Sequence, residues 1–171
     1  DYLMHVPGRK PSPARNQYLL DLGRAEVRNN IFDQMKAILD SGKIDYIKWD
    51  MNRNITEPYS NYLPKDQQGE VFHRYILGVY KLYQLLTDKY PKILFESCAG
   101  GGGRYDLAMF YYAPQAWTSD DTDANERWQI QTGTSYVYPP AVMGAHVSIV
   151  PNHQTGRVTP LHSRVNIAMF G

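Results

Sequence analysis

Asp45-Tyr46-Ile47-Lys48-Trp49-Asp50-Met51-Asn52-Arg53 is the stretch on which the fold turns. Ile44, Tyr46, Ile47 and Trp49 predict a buried strand, entered after a helix that Gly42 closes. Within that apolar run stand a lysine and an aspartate two positions apart. Side chains two apart on a strand point to the same side, and Asn52 joins Lys48 and Asp50 if the chain stays extended. A cation, a carboxylate and an amide on one side of an apolar strand are costly to bury unless they are paired or used. Taken alone, the pattern fits a structural salt bridge near a strand end as well as it fits a site.

Working outward, Val27, Ile31, Met35, Ile38 and Leu39 carry the spacing of an amphipathic helix that stops at Ser41-Gly42. Tyr18 to Leu22 predicts a short strand before it, and residues 1–16 are broken by Pro7-Gly8, Pro11 and Pro13. Downstream, Asn54 to Gln68 is polar, turn-rich and long for a connection, which points to a functional loop. Val71, Phe72, Tyr75, Ile76, Val79, Leu82, Tyr83 and Leu86 predict a second helix, halted before Pro91. Further strands are predicted at Ile93 to Cys98, Ala116 to Ser119 and Val142 to Val150. A short helix lies around Arg104 to Tyr112, and another runs from Ala124 to about Tyr136, with Asp123 and Glu126 as its capping box. This alternation predicts an α/β fold of about five parallel strands joined by crossover helices. The polar and glycine-rich clusters follow the strands, on the edge where such folds build active sites. A complete (β/α)8 barrel needs roughly 200 residues or more, so 171 residues make an open sheet or part of a barrel.

The totals narrow the function. With 43% hydrophobic and 20% charged residues the chain is globular, and its formal net charge of +1 argues against nucleic acid or an acidic membrane face as partner. No apolar run approaches the roughly 20 residues of a membrane-spanning helix. A single cysteine, Cys98, excludes an internal disulfide and leans toward a cytoplasmic location. Fourteen tyrosines and three tryptophans suit both a core and surfaces against which sugar rings stack.

Three chemistries compete for the strand-end clusters. Gly100 to Gly103 follows a strand, as phosphate loops do, but Arg104-Tyr105 replaces the Lys-Ser/Thr of the Walker pattern, and the third glycine of the dinucleotide fingerprint is missing. Asp120, Asp121 and Asp123 could suit a hard cation, yet the loop lacks the glycine and late glutamate of an EF-hand. His146 and His153 lack zinc-motif pairing and read as structural. Glycoside hydrolysis needs two carboxylates facing one another across a sugar, and Asp50 and Asp120 end two different strands. Against that, Asp120 could simply belong to the cap of the following helix.

Four motifs decide between them: Lys48-Trp49-Asp50-Met51-Asn52-Arg53, Glu96-Ser97-Cys98-Ala99-Gly100-Gly101-Gly102-Gly103-Arg104, Trp117-Thr118-Ser119-Asp120-Asp121-Thr122-Asp123 and Met143-Gly144-Ala145-His146-Val147-Ser148. Together, and in this order, they resemble the bacterial α-galactosidases of glycoside hydrolase family 36, with the likeness running from Asp1 to Gly171. The resemblance implies a (β/α)8 barrel, a retaining mechanism and terminal α-linked galactose as substrate, as in melibiose and raffinose, with no cofactor and no metal. Carried over by motif, Asp50 resembles the nucleophile and Asp120 the general acid/base. Lys48 and Asn52 resemble residues that hold galactose hydroxyls, Cys98 and Gly101 match the Cys-x-x-Gly beside the 2-hydroxyl, and Arg15 matches a sugar-site arginine reaching in from a loop.

The family's first-strand aspartate pair, second-strand tryptophan, eighth strand and flanking β-domains have no counterpart in these residues. Residues 1–171 are therefore expected to be part of the catalytic barrel domain, roughly its third to seventh strands. Such a piece is expected to be inactive and poorly soluble alone, with a homo-oligomeric bacterial parent acting on α-galactoside oligosaccharides. A raffinose-synthase-like transglycosylase and an α-N-acetylgalactosaminidase are the alternatives within the class, although Cys98 crowds the 2-position against an acetamido group. A non-catalytic sugar-binding remnant is the alternative outside it.

Overall fold

The computed structural model describes residues 2–170, which fall into two compact units. The first comprises residues up to 46 together with 52–93, and the second comprises 47–51 together with 94 onward.

The first unit is built on two helices, α1 (Ala25–Ser41) and α2 (Val71–Lys89), which pack together. Most of the stripe read from the sequence is the buried face of α2: Val71, Tyr75, Val79, Leu82, Tyr83 and Leu86 are enclosed, whereas Ile76 is half-buried and Phe72, one position from Val71, is turned off that face and exposed. Burying a side chain of this size contributes about 1.5–3 kcal/mol. Gly78 lies in the same stripe because a Cβ there would sit 1.9 Å from the Leu22 carbonyl oxygen. The long connection between 54 and 68 owes its order to ties within this unit. Gln68 donates from Nε2 to the carbonyls of Ser60 and Leu63, each at 2.8 Å, while Ser60 donates its hydroxyl to the buried Asp21 carboxylate. The expected strand at Tyr18 to Leu22 is reduced to an isolated antiparallel bridge between Leu3 and Leu20. Proline-broken neighbours offer it no longer partner.

In the second unit the strands form one four-stranded sheet, in the order β1 (Tyr46–Asp50), β2 (Leu94–Cys98), β3 (Gln115–Trp117) and β4 (Met143–Gly144). β2 pairs in parallel with β3, through Glu96 opposite Gln115, and β3 with β4, through Ala116 opposite Met143. Phe95, Ala116 and Met143 are buried on the sheet, and Met109 and Ala113 beside α3 (Leu107–Tyr112) are enclosed as well. The other helices of this unit are α4 (Ala124–Ser135) and α5 (Leu161–Met169), which pack on each other.

Asp123 caps α4 as read from the sequence, accepting from the amides of Asn125 and Glu126 at 2.8 and 3.4 Å. Two expectations change. β1 is not a buried strand: it is an edge strand with one neighbour, and Tyr46 is 48% exposed. The strand foreseen at Val142 to Val150 closes after Gly144, with Val147 and Ile149 exposed beyond it; since Tyr18 to Leu22 is only a bridge, the sheet has four strands rather than five among the described residues.

Candidate functional site

Period-two alternation puts Lys48 and Asp50 on one face of β1, and Glu96 and Cys98 on one face of β2. These are the same face of the sheet, because Lys48 Nζ lies 3.2 Å from Glu96 Oε1. The ammonium also stands 4.0 Å above the Trp117 ring of β3. Two more groups press on that indole. His146 stacks on it, with ring centroids 4.5 Å apart and planes 15° from parallel, and the Arg127 guanidinium lies 4.6 Å from its centroid. Burial first, and then the Lys48 and Arg127 cations, lower the His146 pKa below its ordinary value, against an opposing pull from Glu96.

Arg127 is buried on α4 and saturated by acceptors. It donates to the Ser119 carbonyl at 2.9 Å, to Gln131 Oε1 at 3.0 Å and to the Gly144 carbonyl. One side chain thus ties the residue before Asp120 to β4.

Asp50 and Asp120 close on the same short piece of backbone. The Met51 amide donates to the Cys98 carbonyl at 2.9 Å, which draws the end of β1 against the end of β2. Asp50 Oδ1 lies 3.5 Å from the Gly100 amide. Gly101, at φ +81°, backs onto the other acid: a Cβ there would be 2.8 Å from the Asp120 amide nitrogen and 2.9 Å from Ser119 Cα. The Asp50 carboxylate and the Asp120 backbone therefore lie against successive glycines, whose Cα atoms are about 3.8 Å apart across a trans peptide. Glycine is required here twice over, by the left-handed φ and by the backbone approach. The Cys98 thiol is held neutral beside them. Burial pushes its pKa up to about 11, with the Asp50 carboxylate adding to the rise and a Gly101 backbone hydrogen bond opposing it.

The aspartates after Asp120 serve the backbone. The Asp123 amide donates to Asp121 Oδ1 at 3.1 Å, and the Asp123 carboxylate, 1% exposed, receives Arg157 Nη1 at 2.6 Å and the Thr155 hydroxyl. Burial alone would raise the Asp123 pKa, but the hydrogen bonds from Thr155, Asn125, Glu126 and Arg157 together bring it below its ordinary value. Gln154 Oε1 accepts from the Thr122 amide at 2.9 Å, so the 152–157 turn is fastened to the loop that carries Asp120. Among the described residues no group of three or more His, Cys, Asp or Glu side chains is disposed to hold a metal ion.

Of the candidates read from the sequence, Lys48, Asp50, Cys98, Gly101 and Asp120 all fall in the second unit. Asn52 and Arg15 belong to the first, where Arg15 occupies an exposed turn at φ 51°. Glu96, Trp117 and Arg127 carry no role in the sequence reading, and His146, read there as structural, stacks on Trp117. Glu96 was within reach of the sequence, since it precedes Cys98 by two positions on β2 and so shares its face. A carboxylate and a neutral thiol at a glycine step, with a second acidic residue carried by the adjoining backbone, suit nucleophilic and acid/base chemistry.

Comparison with known proteins shows the family. The family model for melibiase matches residues 1–171. The chain belongs to the melibiase family. This melibiase-family chain is 63% identical over 171 residues to alpha-galactosidase Mel36A of Lactobacillus acidophilus, covering 100% of itself and 23% of that relative. It is 53% identical over 171 residues to alpha-galactosidase AgaA of Geobacillus stearothermophilus, covering 100% of itself and 24% of AgaA. Among solved structures, the alpha-galactosidase from Lactobacillus brevis matches with a TM-score of 0.96 at 60% identity, over 99% of this chain and 23% of that one. An AgaA variant crystallised with raffinose matches with a TM-score of 0.95 at 53% identity, over 99% of this chain and 24% of that one. The melibiase-family chain thus spans about a quarter of the length of these relatives. None of its described helices is long and apolar enough to cross a membrane.

Proposed function

We propose that residues 1–171 are part of the catalytic (β/α)8 domain of a retaining α-galactosidase, roughly its third to seventh strands, acting on α-galactosides of the raffinose type. The observation that carries this reading is the Asp50 carboxylate at the Gly100 amide and the Asp120 backbone against Gly101, the next residue, in a chain of the melibiase family.

In the first half-reaction the Asp50 carboxylate attacks the anomeric carbon, the glycosidic C–O bond breaks, and Asp120 gives its proton to the departing oxygen. In the second, Asp120 takes a proton from water, the resulting hydroxide equivalent attacks the same carbon, and the ester bond to Asp50 breaks. Two inversions return galactose with its α configuration. Once Asp50 is esterified its negative charge is gone, and Asp120 can act as base where it had been acid. Lys48 and Asn52 hold ring hydroxyls, Arg15 reaches the sugar from its turn, and Cys98 with Gly101 borders the 2-hydroxyl. A thiol with a pKa near 11 stays neutral at working pH and does not compete with Asp50 as nucleophile.

The test uses the full-length parent enzyme and an aryl α-galactoside. Asp50→Gly is expected to be inactive until azide is added, and then to yield the β-linked galactosyl azide. An α-linked azide refutes the nucleophile assignment, and a wild-type parent that releases no galactose refutes the function.

A further inference from the structure

We infer that Glu96 is a positioning residue for the same site: its carboxylate, together with the Trp117 ring, fixes the Lys48 ammonium in the orientation that binds a substrate hydroxyl. The inference rests on the proposed function, which makes Lys48 a substrate contact.

The argument begins with burial. The side chain of Glu96 is only 9% exposed, while that of Lys48, 3.2 Å away, is 39% exposed. The anion is thus enclosed and the cation open on one side. Exchanging a buried ion pair for apolar residues of similar size is often neutral or stabilising, so stability alone is a poor reason for placing a carboxylate here. Placement is a better one. Lysine carries three donors on a flexible four-carbon stem and binds a hydroxyl well only if its head is held. Glu96 Oε1 lies 3.2 Å from the ammonium as an ion-pair partner, and the centroid of the Trp117 ring is 4.0 Å from it. The remaining side faces outward, beside the Asp50 that shares its strand face.

The surroundings are shaped for this carboxylate. Arg127, the other cation on Trp117, is already satisfied by Ser119, Gln131 and Gly144. On β4, Gly144 leaves the room: a Cβ there would come within 3.2 Å of Glu96 Oε1 and 3.3 Å of Trp117 Cε3.

A double-mutant cycle in the full-length parent tests the inference, with kcat and KM measured on an aryl α-galactoside for wild type, Glu96→Gln, Lys48→Met and the pair. Glu96→Gln keeps the size and loses the charge. It is expected to lower kcat/KM about tenfold, the scale of coupling between close charge pairs. In the Lys48→Met background the same change is expected to cause no further loss, since the group Glu96 acts upon is gone. Glu96→Asp, which keeps the charge but withdraws it by one methylene, is expected to fall between, and it serves as the cycle's second variant if the Gln protein does not fold. An equal loss in both backgrounds overturns the inference, because it places Glu96 in the general architecture. A crystal structure of Glu96→Gln with the Lys48 ammonium unmoved does the same. Either result, with an active wild type, leaves the proposed function standing; a wild-type parent without turnover removes both.

Discussion

Gly101→Ala is the substitution on which the site geometry can be most sharply tested. The added Cβ would start 2.8 Å from the Asp120 amide nitrogen and 2.9 Å from Ser119 Cα. Both are backbone atoms that no rotamer change can remove. Reaching ordinary contact near 3.4 Å requires the Asp120 backbone to retreat by 0.6 Å, the difference between 3.4 and 2.8 Å. Forcing an L-residue to φ +81° adds about 1–2 kcal/mol of strain. Overpacking of this kind typically costs about 1–3 kcal/mol more. A displacement of 1 Å in a catalytic group can cost about a hundredfold in rate, so 0.6 Å corresponds to roughly ten- to twentyfold. The expected result, in the full-length parent with an aryl α-galactoside, is a kcat lower by that factor with KM changed far less. Gly133→Ala is the matched control. A Cβ at this α4 position meets nothing within 4 Å, so it should leave kcat alone and stabilise by about 0.5–1 kcal/mol through helix propensity. A Gly101→Ala enzyme with wild-type kcat, in which a crystal structure finds Ser119 and Asp120 in place, refutes the claim that this glycine seats the second carboxylate.

Other perturbations probe the same unit. Iodoacetamide should alkylate Cys98 slowly at pH 8: a pKa of about 11 in place of 9.0 leaves about a hundredfold less thiolate, and the rate should climb tenfold per pH unit toward 11. Asp123→Ala removes an α4 cap and leaves Arg157 without its buried partner, and should cost about 2–4 kcal/mol by thermal denaturation. Because the folded Asp123 pKa lies below the ordinary 3.8, its contribution is complete above that value and is lost as pH falls through the folded pKa; the variant should lose less on acidification. For His146 the shift is also downward but the group is a base, so the unfolded chain takes up the proton first. Stability should decline as pH falls through the ordinary 6.5 and level off below the folded pKa, and His146→Gln should flatten that part of a melting-temperature profile. Produced alone, residues 1–171 should self-associate in a sedimentation experiment, since Trp128, Tyr136, Met169 and Phe170 are all largely exposed.

The parts of the molecule that could be read directly from the sequence are those governed by local rules. The stripe of α2 and the Asp123 cap follow from helical spacing and from the geometry of an orphan amide. The strand-end position of Asp50 follows from an apolar run interrupted by charge. What escaped depends on partners distant in sequence. Val142 to Val150 has the composition of a strand, yet a strand also needs a neighbour, and pairing stops once Trp117 has met Gly144. The Lys48–Glu96 pair joins residues 48 positions apart and carries no local signature. Arg127 reads as an ordinary solvated helix charge beside Trp128, but the structure inverts the two, enclosing the arginine with Gln131 and leaving the indole 61% exposed. Helical periodicity ranks side chains by apolarity and has no means of seeing three acceptors converging on one guanidinium.

Asp123 also restricts how the region can be re-engineered. A single carboxylate starts α4 and anchors the turn bearing Thr155 and Arg157, so the two segments form one inheritable module. Transplanting the turn from a relative will succeed only when its threonine and arginine travel with a compatible acid at position 123.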